Sequence, residues 1–230
     1  MSVELVKHSA SDSDVLWAAR VSTAGEQSLA EVTKDPERSK GLINYLMRDR
    51  HGSPFEHNSM TFFVSAPLFV FREFHRHRVG WSYNEESGRY RQLEPVFYVP
   101  SEERKLVQQG RPGKYEFVAG SAEQHKVVTE AMEESYRQSY RAYQEMLDAG
   151  VAREVARATL PVGLYSSMYA TCNARSLMHF LGLRTQHEQA KVPSFPQREI
   201  EMVGELMEAR WAELMPLTHA AYNANGRVAP

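Results

Sequence analysis

The stretch from Ser59 to Arg91, SMTFFVSAPLFVFREFHRHRVGWSYNEESGRYR, contains the features that set the fold class of this chain. Its first part, Ser59 to Ala66, is rich in β-branched and aromatic residues in partial alternation, which predicts a strand. Pro67 then predicts the start of a helix that carries the basic residues that follow, although the aromatic run is also compatible with a strand. A strand that leads directly into a helix favours an α+β fold.

Helices are predicted on both sides of this stretch, and they dominate the chain. Capping residues, apolar spacing of three or four, and Gly or Pro breakers predict helices at 12–22, from 36 to near 52, and at 122–149, 151–160, 173–183 and 196–215. A short strand is expected at 95–100, followed by an exposed excursion at 101–120 that includes Gly110–Gly113. Because no repeat or linker divides the sequence, we expect one domain spanning 1–230.

The composition is that of an ordinary globular protein of 230 residues, with 42% hydrophobic and 24% charged residues. A formal net charge of −2 argues against a broad basic surface for nucleic acid. No apolar run is long enough to span a membrane, and residues 1–14 lack the apolar core of a signal peptide. The only cysteine, Cys172, excludes an internal disulfide and a Cys-rich zinc site, and it fits a reducing cytoplasm.

Positive charge is concentrated at His75-Arg76-His77-Arg78, and Arg89 and Arg91 follow after a polar stretch. The intervening residues, such as Ser87, are short or hydrogen-bonding, and this composition suits a multiply charged anion such as a nucleotide phosphate. A solvated helix end is the structural alternative. A metal site at His75 and His77 is disfavoured, because residues two apart share a face only on a strand and no carboxylate pattern accompanies them.

Three other polar groups stand out, and the first two also have a purely structural explanation. The segment His51–His57, HGSPFEH, would present polar side chains at a sharp turn, or would simply end a helix. Arg153 and Arg157 would share a helical face, or would pair with acids such as Glu154. On the helix that starts at Asn173, Arg175 and His179 share a face. Cys172 has no neighbouring base in the sequence and is expected to be a small core residue.

Taken together, four motifs in this order resemble the flavin-dependent thymidylate synthases, in an actinobacterial-like variant. The resemblance spans roughly residues 12 to 215, and it rests on His51-x-Ser-Pro-Phe-Glu-His57, Arg76-His77-Arg78 with Ser87-Gly-Arg89-Tyr, Ala152-Arg-Glu-Val-Ala-Arg157 with Leu160-Pro, and Asn173-Ala-Arg-Ser-Leu with Leu183-Arg184.

The resemblance implies an enzyme that methylates dUMP to dTMP without a cysteine nucleophile. FAD would be the cofactor, and NADPH and 5,10-methylenetetrahydrofolate the co-substrates, with tetrahydrofolate and NADP as further products. It also implies one catalytic domain with a small antiparallel sheet packed with several long helices, assembled as a cytoplasmic homotetramer with shared active sites. No metal, nucleic acid or membrane is expected as a partner.

The resemblance also assigns site residues. Arg184 would be the catalytic residue that polarises the uracil. The FAD contacts would be Ser53, Arg76, His77, Arg78, Glu85, Asn173, Ala174, Arg175 and His179, with His51 near the flavin ring. The dUMP contacts would be Glu73, Phe74, His75, Arg76, Glu85, Glu86, Ser87, Gly88, Arg89, Arg157 and Arg184.

The sequence departs from the family pattern at three places. Val79 to Glu86 makes eight residues between the Arg-His-Arg motif and the serine, where seven are usual. Glu73 stands where many members have glutamine. An insertion follows Arg184, and His187 is a candidate for a later family histidine. Two other function classes remain compatible with the anion site itself: a nucleotide phosphohydrolase and a non-catalytic nucleotide- or RNA-binding module.

Overall fold

The computed structural model describes residues 1–26, 28–111 and 114–230, and it has an α+β fold with a small antiparallel sheet. The strands are β1 (Ser2–Ser9), β2 (Ser59–Pro67), β3 (Trp81–Glu85), β4 (Val107–Arg111), β5 (Lys114–Val118) and β6 (Tyr165–Cys172). The helices are α1 (Asp12–Ala24), α2 (Leu29–Val32), α3 (Pro36–Arg48), α4 (Leu68–Phe74), α5 (Ala122–Asp148), α6 (Arg153–Ala156), α7 (Ala174–Arg184), α8 (Arg198–Leu214) and α9 (Pro216–Ala224). Short 3-10 helices occupy Ser53–Glu56 and Arg157–Thr159. The main sheet has the order β1-β2-β6-β3, and β4 pairs with β5.

The chain divides into two compact units. The first unit comprises Met1–Ser65, Arg72–Asn84 and Ser167–Pro230, and the second comprises Ala66–Phe71 and Glu85–Ser166. A single catalytic domain over 1–230 stays a prediction. Within the described residues, no helix is long and apolar enough to cross a membrane.

In the first unit, alternating strand residues and one face of α7 form the core. Met60, Phe62 and Val64 of β2 are fully buried, whereas the residues between them are only partly buried. Helix α7 follows β6 after one residue, Asn173, and its buried side chains include Leu177 and Phe180. The polar start of α7 therefore lies at the end of a buried strand, fixed by the core behind it.

In the second unit, the long helix α5 organises the packing through tyrosines. Its N-cap, Ser121, accepts a hydrogen bond from the Gln124 N–H. Tyr143 is fully buried, and Tyr136 stacks on Phe97 with ring centroids 4.7 Å apart. The residues that follow the Ser-Gly-Arg motif are therefore packed against α5.

Several predicted elements differ from those observed. Helix α4 ends at Phe74, so Arg76–Arg78 lie on the turn after it and not on the helix. The segment 95–100 is not a strand, because Phe97 makes only an isolated bridge to Leu164. The helix expected at 151–160 is the short α6 followed by a 3-10 turn.

The exposed excursion at 101–120 contains the paired strands β4 and β5, although Pro112 and Gly113 lie outside the described residues. The sequence did not predict β1, β3, β6 or α9. Strand β6 was missed because its buried positions include Ser166, Ala170 and Cys172, which are too small or polar to produce a hydrophobic alternation.

Candidate functional site

The Arg-His-Arg motif lies on a turn that is held against the end of α4. The His77 N–H donates to the Phe74 carbonyl at 2.8 Å, closing the turn. The Tyr83 hydroxyl lies 3.0 Å from the Phe74 carbonyl oxygen and 2.9 Å from that of His77, so its proton is shared between two carbonyls at the helix end. The Phe74 carbonyl therefore accepts from both the His77 N–H and Tyr83, and the His77 carbonyl is paired through Tyr83 alone among the contacts of this turn. Tyr83 thus fixes the turn that presents Arg76 and Arg78, which are both exposed.

Arg184, at the end of α7, contacts two residues of this region. Its Nη1 donates to the carboxylate of Glu73 in a short ion pair. Its Nε donates to His77 Nε2 at 3.0 Å. The sequence places these residues in different motifs, and the structure brings them together in the first unit.

His77 is neutral in this arrangement. Burial lowers its pKa to about 4, and the positive charges of Arg184 and His179 act in the same direction. Because Nε2 accepts the hydrogen bond from Arg184, the ring proton resides on Nδ1. A neutral His77 therefore leaves the guanidinium of Arg184 as the cation of this contact.

The start of α7 is tied to the turn at Ser53–Glu56 by Asn58. The Asn58 side-chain oxygen accepts from the Ala174 N–H at 2.8 Å, and its amide donates to the Phe55 carbonyl at 3.0 Å. Asn173 caps the helix by accepting from the Ser176 N–H at 2.9 Å. Two predicted flavin motifs are therefore adjacent in the first unit, and Asn58 is a residue that the sequence reasoning missed.

Arg175 lies against Gly52, next to the predicted Ser53. It donates to Glu56 Oε1 and to the Pro230 carbonyl, both at 2.5 Å. A Cβ atom at Gly52 would lie 2.6 Å from Arg175 Cζ, so glycine is required for this close approach. Burial lowers the pKa of His179, and Arg175 and Arg50 lower it further. His51 packs against Tyr45 with ring centroids 5.5 Å apart.

The turn between the Arg-His-Arg motif and β3 lies against α7. Val79 is 90% exposed, and its carbonyl accepts from the Ser176 hydroxyl at 3.0 Å. Gly80 has a φ of +69°, and a Cβ atom there would lie 2.1 Å from Ser176 Oγ. The turn is therefore accommodated by a left-handed glycine in contact with the helix that carries Arg175 and Arg184.

The second unit holds the predicted Ser87–Arg89 turn together with Arg157. The backbone N–H groups of Tyr90 and Arg91 both donate to the Ser87 carbonyl, at 3.0 and 3.2 Å. A Cβ atom at Gly88 would lie 3.2 Å from Arg157 Cδ, so the Arg157 stem passes directly beside this glycine. Two motifs that are far apart in sequence thus meet at a tight turn.

The acids of the second unit have their own partners. Glu85 accepts from the Ser166 hydroxyl at 3.0 Å, and Glu86 pairs with Arg91 at 3.0 Å. Glu154 pairs with Arg89 at 3.0 Å, and not with Arg153 or Arg157 as the structural alternative supposed.

Two further candidates have no catalytic surroundings. Cys172 is buried, and burial raises the pKa of its thiol, so it is a protonated core residue as expected. His187 lies exposed in the loop after α7, where its Nδ1 accepts from the Gln189 N–H at 3.2 Å. In the part of the chain that the structure describes, no group of three or more His, Cys, Asp or Glu side chains is arranged to hold a metal ion.

The family model of the thymidylate synthase complementing proteins matches residues 4–217 of this chain. A flavin-dependent thymidylate synthase of Streptomyces avermitilis is 84% identical over 230 residues, covering 100% of this chain and 94% of that protein. One from Tropheryma whipplei is 58% identical over 231 residues, covering 100% and 95%. The chain belongs to the flavin-dependent thymidylate synthase family.

A solved structure agrees with this assignment. The UMP/dUMP methylase PolB from Streptomyces cacaoi, bound with 5-Br dUMP, is 56% identical with a TM-score of 0.93, and the match covers 100% of this chain and 97% of that one.

Proposed function

We propose that this protein catalyses the reductive methylation of dUMP to dTMP. 5,10-Methylenetetrahydrofolate supplies the carbon and NADPH the reducing equivalents, and dTMP, tetrahydrofolate and NADP are the products. FAD is the cofactor, and when bound it supplies the redox chemistry that connects NADPH with the transferred carbon. Family membership and the 84% identity to flavin-dependent thymidylate synthases support this proposal.

The observation that carries the proposal is the contact of Arg184 with His77 and Glu73. In the resemblance, these three positions belong to the flavin and nucleotide contacts, and here they form one hydrogen-bonded group. A guanidinium at the edge of a pyrimidine stabilises negative charge that develops on the ring. Arg184 would thus favour the ionised N3 of uracil and make C5 nucleophilic without a thiolate.

The first unit has exposed cations that suit the negative charge of FAD. None of the ion pairs among residues 1–26, 28–111 and 114–230 involves Arg76 or Arg78, and both side chains are exposed. Such cations bind phosphate oxygens and stabilise a reduced, anionic flavin. We propose that they hold FAD together with Ser53, Asn173 and Ala174 at the start of α7, where the helix dipole also favours an anion. The remaining proposed contacts are His51, His77, Glu85, Arg175 and His179.

In the second unit, the turn at Ser87–Arg89 fits the phosphate of dUMP. The Ser87 hydroxyl and the nearby guanidinium of Arg157 are donors of the kind that bind a phosphate. Arg157 makes no ion pair among the described residues, so its charge is available to a ligand. The other proposed dUMP contacts are Glu73, Phe74, His75, Arg76, Glu85, Glu86 and Arg184.

Three finer features are part of the proposal. The homotetramer with shared active sites and the single catalytic domain over 1–230 rest on the resemblance to the family. A cytoplasmic location is supported by the single cysteine, Cys172, which is unpaired and buried.

Methylation of UMP is a second candidate activity. It is raised by the similarity to PolB, which is described as a UMP/dUMP methylase. Glu73, with a carboxylate where many family members have glutamine, would accept hydrogen bonds from ribose hydroxyl groups. Parallel assays with dUMP and UMP at equal concentrations distinguish the two activities.

The visible absorption spectrum of the anaerobic protein tests the proposal. We expect flavin bands that bleach after NADPH is added, and that bleach faster when dUMP is present, followed by dTMP formation once methylenetetrahydrofolate is supplied. A protein that stays colourless after incubation with FAD would contradict the proposed function and favour a phosphohydrolase or a binding module.

A further inference from the structure

We propose that Tyr140 and Tyr143 of α5 are positioning residues for nucleotide binding, and that they act through Leu93 on the Ser87–Arg89 turn. This inference rests on the proposed binding of the dUMP phosphate at that turn. Neither tyrosine belongs to a motif of the family resemblance, and neither lies next in sequence to any proposed site residue.

The two tyrosines bind both backbone polar groups of a single residue. The Tyr140 hydroxyl donates to the Leu93 carbonyl at 3.0 Å, and the Leu93 N–H donates to the Tyr143 hydroxyl at 3.3 Å. Tyr143 is fully buried and Leu93 nearly so, and the two tyrosine rings lie 5.6 Å apart. Since unpaired buried backbone groups are costly, these hydroxyls fix the position of Leu93.

Leu93 in turn supports the glycine of the proposed phosphate turn. A Cβ atom at Gly88 would lie 3.0 Å from Leu93 Cδ1 and 3.2 Å from Arg157 Cδ. The side chains of Leu93 and Arg157 therefore both pack against Gly88, on the side where a Cβ atom would lie. If Leu93 were displaced, both the Ser87–Arg89 turn and the side chain of Arg157 would lose a packing neighbour and could shift.

When a turn is already held in its binding conformation, the ligand does not have to supply the free energy that would order it. When the competent conformation is populated only in part, the apparent dissociation constant rises by the inverse of that fraction. One net hydrogen bond corresponds to about a fivefold change in such an equilibrium, and two to about twenty-five-fold. We therefore expect each single hydroxyl deletion to raise the dUMP KM by up to about fivefold and the double variant by up to about twenty-five-fold, with kcat at saturating dUMP retained within about twofold.

The test compares Tyr140→Phe, Tyr143→Phe and the double variant with Tyr136→Phe as the matched control. Tyr136 lies on the same helix and its ring is also stacked, on Phe97, but its hydroxyl makes no contact with Leu93. We expect the control to keep the wild-type KM for dUMP. All variants should retain their FAD content, because the proposed FAD contacts other than Glu85 belong to the first unit.

A phosphate-free probe separates positioning from general destabilisation. Deoxyuridine, measured as a weak competitive inhibitor, lacks the group that the turn is proposed to bind, so its inhibition constant should not change in the double variant. A wild-type dUMP KM in the double variant would overturn the inference, and so would an equal weakening of dUMP and deoxyuridine.

Arg89→Ala and Arg157→Ala distinguish this inference from the proposed site itself. If both leave the dUMP KM unchanged, the placement of the phosphate is wrong and the inference fails with it. If both raise the KM and the double tyrosine variant does not, the inference alone is wrong.

Discussion

Replacing Arg227 by methionine removes the cation of a buried ion-pair network in the first unit. The Arg227 side chain is 1% exposed, and it donates to both carboxylate oxygens of Glu208, at 2.6 and 2.7 Å. It also donates to Asn223 Oδ1 at 2.7 Å and to Thr185 Oγ1 at 3.1 Å. Thr185 directly follows Arg184, so the network supports the end of the helix that carries the proposed catalytic arginine.

Two estimates of the cost agree. Burial raises the pKa of Glu208, but the hydrogen bonds from Arg227 and His219 outweigh it and bring the pKa from its ordinary 4.5 down to about 2. That difference corresponds to about 3 kcal/mol of stabilisation. Removing one partner of a buried ion pair costs roughly 3–5 kcal/mol, because a buried charge is left without compensation. We therefore expect Arg227→Met to lower the free energy of unfolding by about 3–4 kcal/mol.

Thermal and urea unfolding at pH 7 measure this change. For a chain of this size, the expected loss lowers Tm by about 6–16 °C. The matched control is Arg210→Met, because Arg210 pairs with Glu213 at the surface and such pairs contribute at most about 1 kcal/mol. A loss no greater than that of the control would refute the reasoning.

The pH dependence gives an independent check. A carboxyl whose pKa is lowered on folding stabilises the protein above its unfolded pKa, and this stabilisation is lost as pH falls from about 4.5 to about 2. The difference in unfolding free energy between wild type and Arg227→Met should therefore shrink over that interval. A constant difference would show that Glu208 is not the group responsible.

Three other outcomes follow from the site. Arg184→Ala should lower kcat about 10²- to 10³-fold while the purified protein keeps its flavin absorbance, because the lost cation acts on the uracil. Cys172→Ser should keep near-wild-type turnover, since burial keeps the thiol protonated; an inactive but folded variant would contradict the thiol-free mechanism. Gly80→Ala should lose about 2 kcal/mol more unfolding free energy than Gly150→Ala. Both glycines have a positive φ, but only a Cβ atom at Gly80 would collide with Ser176. Equal losses in urea unfolding would show that the backbone strain of a positive φ is the whole effect.

The helices could be predicted from the sequence wherever local signals and burial agree. Ser11, one of two cap residues compatible with the sequence, is the N-cap of α1, and Asp35 caps α3 by accepting from the Arg38 N–H. Strand β3 could not be predicted, because Trp81–Glu85 belongs to a polar motif that resembles a loop and is a strand only through its neighbour in the sheet. Its pairing is a tertiary effect, which local propensity does not contain.

The members of the candidate site could be named from motifs, whereas their partners could not. Arg184 is found by resemblance, but its pairing with Glu73 joins positions 111 residues apart. Similarly, Asn58 lies outside every assigned role, and it connects the Ser53 turn to the start of α7 only in three dimensions. Motifs identify the groups that touch ligands, and the fold determines which of them are adjacent.

Several backbone segments next to the proposed ligand contacts are held in place by hydroxyl groups at largely buried positions. Tyr83 holds the Arg-His-Arg turn, Ser176 holds the Val79 carbonyl, and Tyr140 and Tyr143 hold Leu93. Each of these side chains differs from Phe or Ala by a single oxygen. A substitution that preserves the hydrophobic pattern would keep the fold but release a backbone group next to a proposed ligand contact. The loops that are proposed to bind ligands are therefore held by hydroxyl groups of the core beneath them, and variants that delete a single hydroxyl test that arrangement directly.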